Sequence, residues 1–341
     1  MRAAVTPAAK TPIEVRDVPD PEPGDGEVLV RVHAASVNRL DRAVWLGVAL
    51  GGIEPFPLIQ GVDAAGVVEA GSEEIPTGTR VVVKPAVTCG HCRWCASGRE
   101  ANCPNQVMHG IHRQGGYAEL IAVPEANAVP LREELSFVEG TTAAHSHAVV
   151  MRMIRAAGDL PPDPVVLVTG ATGSLGSAAV QISVALGITT IAAASSDEKR
   201  AVAESLGASL AVDPIGQSER IREATEGRGA DLVIDTTGHP QVIGEAHGAM
   251  ARGGRIVLVG ATPGARVDLD VLGLYRNRQG VIGSSGSHMD DFVGALDLLA
   301  DHGLSPLVAD TFPLEEAAAA MDAVGDRNRT GKIVIEMGTG Q

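Results

Sequence analysis

The four cysteines of the chain all fall in one short segment, as Cys89, Cys92, Cys95 and Cys103. The spacing C-x2-C-x2-C-x7-C brings four soft ligands to one point at low ordering cost, and a tetrahedron of thiolates suits Zn(II). Iron is the runner-up, because tetrahedral sulfur sites suit it too. Disulfide pairing is disfavoured in a reducing cytosol. A fully thiolate site leaves no open position, so the ion is expected to be structural. The second constellation is Val165-Val-Leu-Val-Thr-Gly-Ala-Thr-Gly-Ser-Leu-Gly176. A β-branched run leads into a glycine-rich turn and a helix of small residues, which is the context a dinucleotide fingerprint requires. The turn reads Ala-x-Gly-x-x-Gly, with Ala171 where a first glycine usually stands. Gly173 would let a pyrophosphate approach the backbone, and Gly176 would let the helix pack on the strand. The helix N-terminus would supply N–H groups to the phosphates.

The elements that must position these residues change character along the chain. Up to about Val123 the sequence is β-rich, with strands expected in Glu27–His33, Gly61–Glu69, Gly78–Lys84 and Gly115–Val123. Short strands with glycine turns suggest a compact, partly closed sheet. A helix is expected over Phe137–Ala157, closed off by Pro161, Pro162 and Pro164. Strands then alternate with helices. The strands are Val165–Val168, Thr189–Ala194, Leu210–Val212, Asp231–Ile234, Arg255–Val259 and Gly280–Ile282. Alternation of this kind predicts an α/β fold with a doubly wound parallel sheet. Two helices (Asp290–His302, Leu314–Val324) and a strand (Lys332–Glu336) follow.

Composition narrows the function. The 341 residues imply two domains, and 45% hydrophobic content implies a globular chain. A net charge of −15 and 2% aromatic residues argue against nucleic acid and anionic membrane as partners. No apolar run reaches the roughly 18 residues that span a bilayer, and no signal peptide is visible, so the expected location is cytoplasmic.

The cysteine lobe followed by a nucleotide fold resembles the medium-chain dehydrogenase/reductase superfamily. The resemblance covers nearly the whole chain: Gly61-Val-Asp-Ala-Ala-Gly-Val-Val, Gly90-His-Cys-Arg-Trp-Cys-Ala-Ser-Gly-Arg99, Gly115-Gly-Tyr-Ala-Glu119, the cofactor turn, Asp235-Thr-Thr-Gly238 and Gly331-Lys-Ile-Val334. It implies a GroES-like catalytic domain from residues 1–125 and 283–341, with the zinc lobe at about 86–106, and a Rossmann domain at 126–282. Zinc alcohol dehydrogenases of this superfamily hold a second, catalytic zinc. The corresponding positions here look like Asn38, Val62 and His145, which cannot form that shell. Asn38-x-x-Asp41 instead is similar to quinone oxidoreductases and enoyl reductases, which work without metal, although those relatives usually lack the cysteine lobe.

The cofactor expected is NADPH. Ser195 and Ser196 end the second strand of the nucleotide fold, where a carboxylate would repel a 2′-phosphate. Lys199 matches the lysine that quinone reductases use for that phosphate, and Arg200 is a further cation nearby. The resemblance also puts Gly173, Ser174 and Leu175 along the pyrophosphate, Thr236 and Gly238 at the ribose, Gly260 and Ala261 at the nicotinamide, and Ser284 and Ser285 at the hinge. Asn328 would close over the cofactor, with Arg327 or Arg329 at the 2′-phosphate.

The reaction expected is hydride transfer to a quinone, enone or enoyl thioester, whose developing charge needs hydrogen-bond donors more than a metal. Asn38 is the candidate donor, Asp41 the residue ordering its turn, and His145, His147, His109 or His112 the proton source. Asp63 reads as a satisfied buried carboxylate. Two alternatives stay open: an alcohol dehydrogenase with an atypical metal site using His145, Asp63 and a neighbouring histidine, and a cofactor-binding sensor with little catalysis. The partner is a small-molecule substrate, with a homodimer or homotetramer expected by analogy.

Overall fold

The computed structural model describes residues 1–48, 56–260 and 265–338. The chain divides into two compact units, 1–148 with 288–341, and 149–287. Residues 126–148 thus cluster with the first unit rather than with the nucleotide fold. The cause is local pairing: Ala128–Pro130 pairs antiparallel with Arg80–Val83, and the hydroxyl of Thr141 accepts from the Ser36 N–H at 3.0 Å.

The first unit is built on the strand Glu27–Val37. Its apolar alternation buries Val28, Val30 and Val32, and its last four residues are wholly buried. It pairs with Ala64–Ala70, Leu120–Pro124 and the C-terminal strand Lys332–Glu336 within a seven-stranded sheet. The register sets Ile333 opposite Val37 and Ile335 opposite Ala35, antiparallel. That register carries Lys332 to the end of the strand where Asn38 begins a helix, Arg39–Trp45. The helix is absent from the β-rich sequence expectation. It is seven residues long and buries only Asp41 and Val44, too little for a periodic signature. A second sheet of three strands joins Glu14–Asp17, Arg2–Thr6 and Leu58–Ile59.

The second unit holds a six-stranded, wholly parallel sheet. Its spatial order is Leu210–Val212, Thr189–Ala193, Val165–Thr169, Ala230–Asp235, Met250–Leu258, Gly280–Gly283. The two central strands are buried at every position, as sheets covered on both faces require. The strand order reverses between Val165–Thr169 and Ala230–Asp235, and ligands of such sheets bind beyond the carboxyl ends at that point. Every expected strand of this series is present. Helices Gln217–Ala224, Pro240–Gly248 and Val271–Asn277 lie between the later strands, and all are short. Among the described residues no helix is long and apolar enough to cross a membrane.

Candidate active site

The cysteine lobe is closed by the strand pair Ala86–Val87 and Val107–Met108 and by two short 3-10 turns, Cys95–Ser97 and Glu100–Asn102. Cys92 and Cys103 Sγ lie 3.5 Å from Cys95 and Cys89 Sγ respectively, and Cys89 lies 4.0 Å from Cys95. All four sulfurs are within 4.8 Å of one another. A zinc–sulfur bond of about 2.3 Å gives tetrahedral edges of about 3.8 Å, so the cluster fits zinc closely. Backbone N–H groups of His91 and Cys92 point at the Cys89 sulfur and pull its thiol down to about 6, which favours the thiolate a metal needs. The lobe is tied to the helix Met289–His302: Ala101 N–H donates to His288 Nδ1 at 3.1 Å, and the Met289 N–H donates to Glu100.

In the second unit the strand Val165–Thr169 passes through the glycine turn into the helix Ser174–Ala185. A Cβ on Gly176 would sit 2.0 Å from the Gly170 carbonyl oxygen, so no other residue allows this close packing. Ser174 Oγ is buried with no hydrogen-bond partner among the described residues, at the first turn of that helix. An unsatisfied hydroxyl beside free helix N–H groups fits an anion such as a pyrophosphate. Asp235, at the end of the neighbouring strand, shapes the adjoining loop. It accepts from the hydroxyls of Thr169 (2.5 Å) and Thr237 (2.8 Å) and from the Gly238 N–H (2.9 Å). The Thr236 hydroxyl is itself committed to the Thr169 carbonyl at 2.7 Å. Gly260 is required where it stands, since its Cβ would lie 2.5 Å from the Thr236 carbonyl oxygen. Ser284 Oγ is another buried hydroxyl without a partner among the described residues. Ala261 lies outside the described residues.

At the tip of Thr189–Ala193, Ser195 is exposed and Ser196 caps the helix Asp197–Ser205, accepting from the Lys199 N–H at 3.3 Å. Arg200 is occupied by the Ala194 carbonyl (2.9 Å), Asp197 (2.5 Å) and Asp213 (3.5 Å), which removes it as a ready cation. In the first unit Arg327 and Asn328 are exposed, and the Asn328 N–H donates to Asp326 at 2.8 Å.

The first unit also contains a buried polar cluster. Asp63 Oδ2 accepts from Ser36 Oγ at 2.5 Å and from Asn38 Nδ2 at 2.9 Å, with Lys332 Nζ at 3.6 Å. Lys332, 1% exposed, donates to Asn38 Oδ1. The Asn38 amide is thus held at both ends, by the ammonium and by the carboxylate. Asp41 accepts from the N–H groups of Asn38 (2.7 Å) and Val62 (3.2 Å), which orders the turn. Burial, reinforced by neighbouring Asp63, pushes the Asp41 carboxyl up to about 6. Asp63 differs from the satisfied carboxylate expected: its Oδ1 is buried and has no partner among the described residues. His145 is half-buried, and desolvation lowers its pKa against the pull of Asp63. His147 is buried, with Nδ1 3.2 Å from Ser146 Oγ. His109 is wholly buried and pushed down to about 4, first by desolvation, and His112 Nδ1 accepts from the Met108 N–H. His109 is therefore part of the packing, and the half-buried His112 has one ring nitrogen engaged by the backbone. Among the described residues, the four cysteines are the one group of three or more potential metal ligands that converges.

A family model described as alcohol dehydrogenase GroES-like domain matches residues 24–133, and one described as zinc-binding dehydrogenase matches 174–301. An alcohol dehydrogenase of Geobacillus stearothermophilus is 31% identical over 344 residues, covering 99% of this chain and 100% of its own. The chain belongs to the zinc-type medium-chain dehydrogenase/reductase superfamily. A second relative in the superfamily is an acryloyl-coenzyme A reductase of Sulfurisphaera tokodaii, 27% identical, with 98% of this chain and 100% of that one aligned. The crystal structure of an NAD-dependent alcohol dehydrogenase superposes with a TM-score of 0.92 at 35% identity, over 99% of this chain and 100% of that one. The protein is accordingly an oxidoreductase with a GroES-like and a Rossmann-type domain. In the sequence the Gly331-Lys-Ile-Val motif marks the superfamily, with no part in the site falling to Lys332. The available signal was a lysine heading a strand whose next residues are Ile333, Val334 and Ile335, where a charge must find a partner.

Proposed function

We propose that the protein is an NADPH-dependent reductase of a conjugated acceptor, a quinone, an enone or an enoyl thioester, and that it works without a catalytic metal. The observation that carries this reading is the Lys332 ammonium lodged against Asn38 and Asp63. By the resemblance, Asn38, Val62 and His145 take the positions of the metal ligands in zinc alcohol dehydrogenases, and a resident cation beside them would oppose a second one electrostatically. An amide, an aliphatic residue and one imidazole do not fit a zinc shell. The acryloyl-coenzyme A reductase among the relatives works on a conjugated thioester by its name, which supports the same substrate class.

Bound NADPH would supply the hydride. The acceptor takes it at its electrophilic carbon, and the electron pair of the conjugated system moves onto the carbonyl oxygen. Asn38 would meet that oxygen. One Nδ2 proton is engaged by Asp63, while the second has only a 3.5 Å contact with the Ser36 carbonyl and is available to redirect. Asp41 holds the turn that carries it. His145 is assigned the proton relay, because it is half-buried while His147 is enclosed and bound to Ser146. Burial keeps the His145 imidazole neutral at rest, so it passes on a proton from solvent. Gly173, Ser174 and Leu175 would cradle the pyrophosphate, and Ser195, Ser196 and Lys199 the 2′-phosphate. A second copy of this chain is the proposed partner: Gly280–Gly283 is an edge strand among the described residues, and Val271 and Tyr275 of the preceding helix are 73% and 80% exposed.

The test is a metal count combined with turnover. One zinc per chain and NADPH oxidation with conjugated acceptors, unaffected by a mild chelator, are expected. Two zinc ions per chain with alcohol oxidation would replace this reading by that of an atypical alcohol dehydrogenase.

A further inference from the structure

The buried cluster contains a charge that the reading above does not use. Lys332 has three N–H donors. One goes to Asn38 Oδ1, and Asp63 Oδ2 lies at 3.6 Å, beyond good hydrogen-bond length. Asp63 does not need the lysine to fill that oxygen, since Ser36 and Asn38 already donate to it at 2.5 and 2.9 Å. The short contact of the ammonium is with the amide oxygen. An amide whose oxygen accepts from a cation becomes a stronger donor through its nitrogen, because the two hydrogen bonds polarise one another. The same contact fixes which end of the Asn38 amide is oxygen, so its N–H groups point away from Lys332. Tyr117 and Asp41 complete the enclosure: the tyrosine hydroxyl donates to the Ser36 carbonyl at 3.4 Å, and Asp41 fixes the Asn38 backbone.

We propose that Lys332 is a positioning residue that polarises Asn38, so that the amide N–H binds an oxyanion far better than a free asparagine would. The ligand class is an enolate or phenolate oxygen. This rests on the reading that Asn38 meets the acceptor oxygen, and deepens it by naming the source of the donor's strength. The bland alternative is that Lys332 only neutralises Asp63.

The double variant Lys332→Met with Asp63→Asn separates the two. It removes both charges, so it retains the fold if neutralisation is all that matters, and thermal melting checks this. The probe is 4-nitrophenolate with NADP+ present, read by its absorbance shift and by titration. We expect the double variant to bind it about tenfold more weakly and to lose about 30-fold in kcat, with KM changed less than about threefold. Lys332→Gln with Asp63→Asn, which keeps a neutral donor to Asn38 and leaves no uncompensated carboxylate, is expected to show the same losses, so the test has a second charge-neutral variant to stand on. Nitrophenolate binding and kcat within about threefold of wild type in a folded variant would overturn the proposal. If the wild type binds nitrophenolate in a Lys332-dependent way but reduces no conjugated acceptor, the role of Lys332 stands and the proposed reaction falls. If it reduces them with Lys332-independent binding and rate, the reaction stands and the role of Lys332 falls.

Discussion

The cysteine lobe and the Asn38–Asp63–Lys332 cluster both gather groups that water would keep apart, but by opposite routes. The lobe draws its four ligands from Cys89 to Cys103, so a few turns of backbone suffice. The cluster joins Asn38 to Lys332 across 294 residues of chain, and only the pairing of Lys332–Glu336 with Glu27–Val37 brings them together. The lobe gathers one ligand type suited to an ion that would come from outside. The cluster carries its own cation, covalently attached. The difference teaches that a site expecting a metal announces it in spacing, whereas a site with an internal charge is hidden in register.

Four measurements bear on that contrast, from the largest effect down. Cys103→Ser should remove the ion and destabilise the first unit by more than about 4 kcal/mol, read by zinc content and thermal melting. A folded, zinc-bearing variant of unchanged melting temperature would break the assignment. Asp63→Ala takes the carboxylate at 3.6 Å away from the buried Lys332 ammonium, and should cost about 3–5 kcal/mol in urea unfolding without changing zinc content. Loss of zinc in that variant would show that the two regions are not independent.

His109 extends the contrast to pH. It is a candidate proton donor in the sequence, yet it is packed in the first unit, where burial pushes its pKa down to about 4 from the ordinary histidine value of about 6.5. A depressed histidine binds fewer protons folded than unfolded, so it destabilises as pH falls from about 6.5 to 4, by up to about 3 kcal/mol. His109→Gln should flatten the stability–pH curve in that window, and an unchanged slope would rule His109 out as its source. Lys199→Ala should weaken NADPH by about tenfold and leave NADH unchanged, measured by fluorescence titration. Equal losses for both nucleotides would return Lys199 to an ordinary helix residue.

The doubly wound sheet was legible because its central strands are buried on both faces and read as near-continuous apolar runs, Val165–Thr169 above all. The helix Phe137–Ala157 was legible from its length, with the same limits in sequence and structure. Its division between the units was not, because that depends on Thr141 reaching Ser36. The helix Arg39–Trp45 was missed for lack of a full apolar stripe.

The sequence by itself determined the thiolate cluster, the nucleotide turn and the alternating fold, since each rests on neighbours in the chain and on local backbone geometry. Tertiary structure alone decided that Arg200 is spent on Asp197 and Asp213, that His109 is packing, and that Asp63 keeps one oxygen unmatched. It also decided that Lys332 grips Asn38. Burial and partner choice are properties of space, and a strand's register fixes them only once a distant strand has docked.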